Sequence, residues 1–213
     1  MRTINLELRE GSENVTVKTF DGTLESSSKM KIGAISTLFG QSYSTGYFSV
    51  SQDGPIYIEE KDGVKYVVVQ RGLRLNETIR WGGQTLQLVT PWTFYLVQLK
   101  PSARGFVRSN ERLFVSNGPG LGASTPLFSS VWLGNIYNNH GICWGTVVLS
   151  GSREVTLPTL TNIVNDFYLN GTFTPDLERS PQRWQTFSDT GRIPGPTLFT
   201  LDEALTRFKK GEL

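Results

Sequence analysis

The dipeptide Asp62-Gly63 stands between two runs of strand-forming residues, Ile56-Tyr57-Ile58 and Val64-Lys65-Tyr66-Val67-Val68-Val69. An Asp-Gly pair accepts positive φ at both centres of a two-residue turn, and the twist of that turn matches a pair of antiparallel strands. Residues 55–70 are therefore read as a hairpin. A lone hairpin is at best marginally stable in water, so other strands must pack beside it. The flanking sequence supplies them. Gly82-Gly83 separates 75–81 from 84–89 as a second hairpin, and 93–99 and 112–115 read as two further strands with 101–105 between them. Upstream, 3–9 and 14–20 alternate with period two around Gly11-Ser12-Glu13, the pattern of a third hairpin. Asp21-Gly22 ends that pair, 26–29 reads as a loop, and another strand is expected over 30–39. No βαβ rhythm occurs, so the expectation is an antiparallel meander.

After residue 116 the character changes. The run 117–124, Gly-rich and irregular, lacks the Lys and Ser/Thr ending of a phosphate loop and is read as a connector. The run 133–145, rich in Gly and Asn, reads as a loop and holds the only cysteine, Cys143, and the only histidine, His140. Beyond it, Leu160, Ile163, Val164, Phe167 and Tyr168 fall on one stripe of a 3.6-residue period. Pro158 and Thr159 mark the start of that helix and Asn170-Gly171 its end. A Pro-, Arg- and Gly-bearing connection is expected over 179–196. A last short helix then opens on Thr200-Leu201-Asp202-Glu203, a capping box, with Lys209 and Lys210 at its end, where positive charge suits the helix dipole. The fold class expected is α+β.

The chemistry the chain can support is narrow. A single cysteine excludes an internal disulfide framework and fits a reducing compartment. No apolar signal segment shows in residues 1–20 and no apolar run approaches about 20 residues, so a cytoplasmic, non-membrane protein is expected. The net charge of +2, with acids and bases interspersed, leaves no footprint for nucleic acid. The spacing of a four-ligand metal site is absent, and neither a metal nor a cofactor is expected. A papain-like site needs a histidine brought from elsewhere in the fold, and the only one lies three residues from the thiol. No Gly-x-Ser-x-Gly elbow occurs. Glu59 and Glu60 are adjacent on a strand and point to opposite faces, so they cannot share a site.

The order of strand meander, Asn135-Ile136-Tyr137, Cys143, Leu157-Pro158 and amphipathic helix resembles the ubiquitin-conjugating (E2-like) enzymes, in which an Asn-Ile-Tyr segment places asparagine eight positions before the catalytic cysteine. The chain is more similar still to the bacterial family called PRTRC system protein B. The matching pieces are Thr125-Pro126-Leu127, Asn135-Ile136-Tyr137, Gly141-Ile142-Cys143-Trp144-Gly145 and Phe173-Thr174, within roughly 90–180. The chain departs from the eukaryotic pattern in three places. Leu133-Gly134 replaces His-Pro, the glycine before the cysteine lies two positions upstream instead of three, and Trp144 stands where leucine is usual.

The resemblance implies a conjugating core over 89–180, a β-rich N-terminal region over 1–88 and a C-terminal tail with a short helix over 181–213. It implies a carrier that accepts a ubiquitin-like protein as a thioester on Cys143 from an activating (E1-like, ThiF-type) enzyme and delivers it to an amine of a target protein. A thiolate suits the task because it is both a strong nucleophile and a good leaving group. Asn135 would donate to the tetrahedral oxyanion or hold the cysteine loop in shape. Another reading makes it an Asx-type turn capping its own backbone. His140 would assist as a base or lower the thiol pKa. Tyr137 is expected to pack beneath the loop, and Asp166 or Asp176 to orient the incoming lysine. Two other readings stay open: an inactive fold of the same kind that only binds a partner, and a structural or assembly protein, one of viral origin included.

Overall fold

The computed structural model describes residues 2–8, 14–21, 24–31, 46–47, 53–103, 105–145, 147, 155–173 and 181–213. It is an α+β protein built on antiparallel sheet. Strands β1 (Arg2–Leu8), β2 (Asn14–Asp21) and β3 (Leu24–Lys31) form a three-stranded antiparallel sheet of their own. The first two are the expected hairpin, with Leu8 opposite Val15. The third corrects the loop expected at 26–29. Ser26, Ser27 and Ser28 pair with Thr19, Lys18 and Val17. A serine run has little strand preference of its own, and the ladder offered by β2 overrides it. The remainder of the strand expected over 30–39 lies outside the described residues.

Strands β4 (Gly46–Tyr47), β5 (Gly54–Lys61), β6 (Val64–Arg71), β9 (Trp92–Ser102), β10 (Gly105–Ser116), β11 (Pro126–Ser129) and β13 (Thr197–Thr200) make one seven-stranded sheet. Its order is β4-β5-β6-β9-β10-β11-β13, antiparallel throughout. Residues on both sides of position 88 contribute to this sheet, since β6 pairs with β9. The turn at Asp62 and Gly63 has φ of 53° and 75°, and that at Gly82 and Gly83 has 52° and 83°, the doubly positive geometry expected of both dipeptides. The second turn joins β7 (Arg74–Trp81) to β8 (Gln84–Thr90). This hairpin stands outside the main sheet and takes β12 (Thr172–Phe173) as a parallel neighbour.

Both faces of the central strands are covered, which is why Val67-Val68-Val69 and Phe94-Tyr95-Leu96-Val97 are unbroken apolar runs, all fully buried. Helix α1 (Leu157–Leu169) covers one face, packing Leu160, Ile163 and Val164 against Val67, Val69, Tyr95 and Val97. Each such buried side chain contributes roughly 1.5–3 kcal/mol. Its N-cap is Thr156, in a capping box with Thr159, so the start signal read at Pro158 and Thr159 lies just inside the helix. The other face is covered by α3 (Leu201–Lys210), whose Leu201, Ala204, Leu205 and Phe208 pack on Val68, Phe94, Leu96 and Phe114. Thr200 and Glu203 form the expected capping box, and Gly211 ends the helix at φ 73°.

Between them in the chain comes α2 (Gln182–Thr190), within the stretch expected to be an irregular connection. Trp184 and Phe187 bury one side of it, and Gly191 closes it in the left-handed conformation at φ 68°. With only two apolar anchors in nine residues, no helical stripe stands out in the sequence. Among the described residues no helix is long and apolar enough to cross a membrane.

Candidate functional site

The segment 133–145 is a docked β-hairpin. Ile136 and Ile142 form an antiparallel bridge, Cys143 N–H donates to Asn135 O (2.8 Å) and Tyr137 N–H donates to Gly141 O (2.9 Å). His140 N–H donates to Tyr137 O (2.8 Å), and His140 itself has φ 62°. This is a three-residue loop of a turn followed by a left-handed residue, with His140 at the place glycine usually takes. The Asn139 Oδ1 accepts from Gly141 N–H (3.1 Å) and braces the tip.

Two ties hold the hairpin in place, one to the main sheet and one to β12. Beyond the end of β11, Leu113 of β10 would have an open edge. Instead its N–H donates to His140 O (3.0 Å), and its carbonyl accepts from the Ser130 hydroxyl. At the base, Asn135 is buried with φ 53°, and its Nδ2 donates to Thr172 O (3.0 Å) on β12. Gly134 beside it has φ 76°, and a Cβ there would stand 2.9 Å from the Trp81 ring. Glycine at this position is thus demanded twice, by conformation and by space.

Alternation along the hairpin sends Ile136 and Ile142 toward the core and leaves Tyr137, Gly141 and Cys143 on the opposite face. Tyr137 is 47% exposed, which corrects the expectation that it packs beneath the loop. Its ring lies beside Gly141, with Cδ2 3.7 Å from where a Cβ would stand, an ordinary contact, whereas Asn139 Oδ1 stands only 3.0 Å from that point. A hydrogen bond to the Cys143 thiol, and the charge that thiol carries when ionised, hold the Tyr137 hydroxyl above its ordinary pKa. Cys143 is a free, half-buried thiol.

Asn135 and Cys143 stand opposite each other in the backbone pairing. The Asn135 amide, however, is directed to Thr172 and serves the loop's shape. That tie reaches 37 residues along the chain, which a local Asx turn would not do. The His140 imidazole is buried against the Phe114 ring, with centroids 4.6 Å apart, and its Nδ1 has no hydrogen-bond partner among the described residues. Burial, then the Arg112 charge, push its pKa down, so it is neutral at pH 7. A neutral ring brings no positive charge to a thiol. Asp166 is buried on α1, where its carboxylate accepts from Asn170 Nδ2 (2.7 Å). Asp176 lies outside the described residues. Among those described, no group of three or more His, Cys, Asp or Glu could hold a metal.

The neutral His140 gives a pH signature. Above its unfolded pKa near 6.5 the ring is uncharged in both states and costs nothing. As pH falls through that value the unfolded chain takes the proton first, and stability declines until the folded pKa is passed. Thermal unfolding between pH 7.5 and 5 should therefore show a steeper loss in the wild type than in His140→Asn. Asparagine also tolerates the left-handed conformation. Parallel curves for the two proteins would show that His140 is not the group responsible.

A shallow cleft of about 300 Å³ runs beside the hairpin. Arg108, Asn110, Glu111 and Arg112 of β10 line one side, and Tyr137, Asn139 and Gly141 the other. Sequence reading gave β10 no functional residue. In an unbroken strand Arg108 and Glu111, three apart, point to opposite faces. A β-bulge between Arg108 and Asn110 adds one residue and brings them to the same face, and that device leaves no mark in the sequence.

Comparison of the chain with models of protein families, with curated proteins and with solved structures finds no match.

Proposed function

We propose that this protein carries a ubiquitin-like modifier as a thioester on Cys143, in the manner of the ubiquitin-conjugating enzymes that its motif order resembles. The observation that carries this reading is the placement of Cys143. It is a half-buried thiol on the outer face of a hairpin tied to β10 near its tip and to β12 at its base, with the half-exposed Tyr137 beside it. Meander, hairpin and the core-facing helix α1 follow in the order such a carrier requires.

In loading, the Cys143 thiolate attacks the carbonyl carbon of the modifier's C-terminal thioester on the activating enzyme. The tetrahedral adduct collapses, the new C–S bond remains, and the activating enzyme's thiolate leaves. In discharge, a target amine attacks the same carbon, a C–N bond forms, Cys143 leaves as thiolate and the ammonium proton passes to solvent. Each tetrahedral stage places negative charge on oxygen and needs a positioned donor. With the Asn135 amide given to Thr172, the Tyr137 hydroxyl is the donor beside the sulfur, and Asn135 keeps the loop in shape.

The same commitment of Asn135 favours a second reading, in which the fold holds a ubiquitin-like partner without catalysis. One experiment separates the two. Tagged wild type, Cys143→Ala and Cys143→Ser are expressed in the protein's own cells and recovered under acidic, non-reducing conditions. The carrier reading expects a protein-sized adduct on the wild type that reductant and hydroxylamine both remove. It expects no adduct on Cys143→Ala, and a reductant-resistant oxyester on Cys143→Ser. A wild type that stays free of adduct while the activating enzyme is present and active would leave the binding role in its place.

A further inference from the structure

The Glu111 carboxylate is the centre of a cluster that the proposed reaction does not use. Oε1 accepts from the hydroxyl of Tyr95 (2.5 Å) and from Arg108 Nη1 (2.7 Å), and Oε2 accepts from the indole Nε1 of Trp144 (2.5 Å). Tyr95 is fully buried, while Glu111, Arg108 and Trp144 are half-buried. The Arg108 guanidinium also lies over the Trp144 ring, 5.0 Å from its centroid, and the indole meets Phe167 of α1 at 6.3 Å with the two rings perpendicular. Trp144 is thus fixed at its N–H, at one face and against α1.

Trp144 directly follows Cys143, whose own N–H is fixed to Asn135 O. The sulfur-bearing residue is consequently pinned on both sides, by the hairpin ladder before it and by the indole after it. A hydrogen bond to an ionised carboxylate is roughly twice as strong as one between neutral groups, and the half-buried setting protects it from screening. The departure from leucine to tryptophan after the cysteine acquires a physical reason here, because leucine has no N–H for a carboxylate to hold.

We propose that Glu111 is a positioning residue for Cys143, acting through the Trp144 indole. Its bearing on catalysis rests on the carrier reading above. The clamp itself is independent of that reading and is tested with iodoacetamide alone, on the full chain.

Trp144→Phe keeps an aromatic ring and removes the N–H together with part of the indole's contact area, so Glu111→Gln serves as the control that leaves the indole whole. The Phe variant should raise the rate of Cys143 alkylation by about tenfold, the factor that loss of one charge-assisted bond gives to a local opening. Glu111→Ala should do the same, and Glu111→Gln, which is neutral and offers one acceptor oxygen where the carboxylate uses two, should fall between wild type and Glu111→Ala. The double variant Glu111→Ala with Trp144→Phe should match either single variant, since both cut one connection. Glu111→Ala also strands Tyr95 and Arg108, so Trp144→Phe and the Gln rescue decide the matter if the alanine variant fails to fold. In ¹⁵N spectra the Trp144 Nε1–H resonance, identified by its loss in Trp144→Phe, should move in Glu111→Gln.

An unchanged alkylation rate in a folded Trp144→Phe, a Gln variant no better than Ala, or an indole resonance blind to Glu111 would each overturn the clamp. An intact clamp together with an absent adduct would instead tell against the carrier reading.

Discussion

Glu77→Ala is expected to destabilise the protein by about 3–5 kcal/mol, the usual consequence of leaving a buried charge without its partner. The charge concerned is Arg71, at the end of β6, which is 1% exposed. Its Nε donates to Asn165 Oδ1 (2.7 Å) on α1, its Nη1 to Thr90 Oγ1 (2.8 Å) on β8, and its Nη2 to the Glu77 carboxylate on β7. The guanidinium lies over the Tyr168 ring at 4.5 Å, and the Thr90 hydroxyl donates to the second Glu77 oxygen (2.8 Å). One side chain thereby joins the main sheet, the β7–β8 hairpin and α1. A guanidinium suits this because its donors leave in a rigid planar fork, which a lysine cannot imitate. Glu77→Gln keeps an acceptor and the shape and should cost clearly less than the alanine. Arg71→Met combined with Glu77→Leu, which removes both charges, should come closer to wild type than Glu77→Ala does. Urea unfolding of the four proteins measures this. A Glu77→Ala loss below about 1 kcal/mol would mean that water reaches Arg71 and that the cluster does not join these elements.

The legible parts of this chain are those in which local chemistry and final environment agree. Asp62-Gly63 and Gly82-Gly83 specify their turns by the φ values they accept. The stripe from Leu160 to Tyr168 specifies α1, because a period of 3.6 and burial on one side are the same statement. The Thr200–Glu203 box specifies the start of α3 in the same way. What stayed hidden depends on partners far along the chain. The serines of β3 are strand only because β2 lies beside them. Arg108 and Glu111 share a face only because of a bulge, and Arg71 finds Glu77 only once β7 has folded past it.

The site divides along the same line. Cys143, Asn135, Tyr137 and His140 are near each other in sequence, and one hairpin carries all four. Their directions were not legible. Asn135 turns to Thr172 and His140 to Phe114, because those choices are made by β12 and by β10, and Tyr137 stays outside once Ile136 and Ile142 take the core side of the hairpin.

Helix α2 carries the second large effect, and with it the question of whether 181–213 is a tail at all. Trp184 is fully buried and meets four aromatic rings at their edges or near to it: Phe173 at 5.1 Å, Tyr168 at 6.0 Å, and Trp81 and Trp132 at 6.4 Å each. Its indole Nε1 donates to Val89 O (2.8 Å), and one helical turn later the Ser188 hydroxyl accepts from Val89 N–H (2.9 Å). The helix thus supplies both backbone partners of a residue in β8, doing for that strand what a further strand would otherwise do. Trp184→Ala should cost about 3–5 kcal/mol, as truncation of a large buried aromatic does. Trp184→Phe retains most of the packing but leaves the Val89 carbonyl unpaired, a loss of about 1–3 kcal/mol. Both follow from urea midpoints at constant m value. If Trp184→Ala unfolds within about 1 kcal/mol of wild type, α2 is a loosely docked appendage. A loss of the expected size, with 181–190 protected from protease in the wild type and cut in the variant, makes α2 part of the core that supports β12 and, through Thr172, the base of the cysteine hairpin.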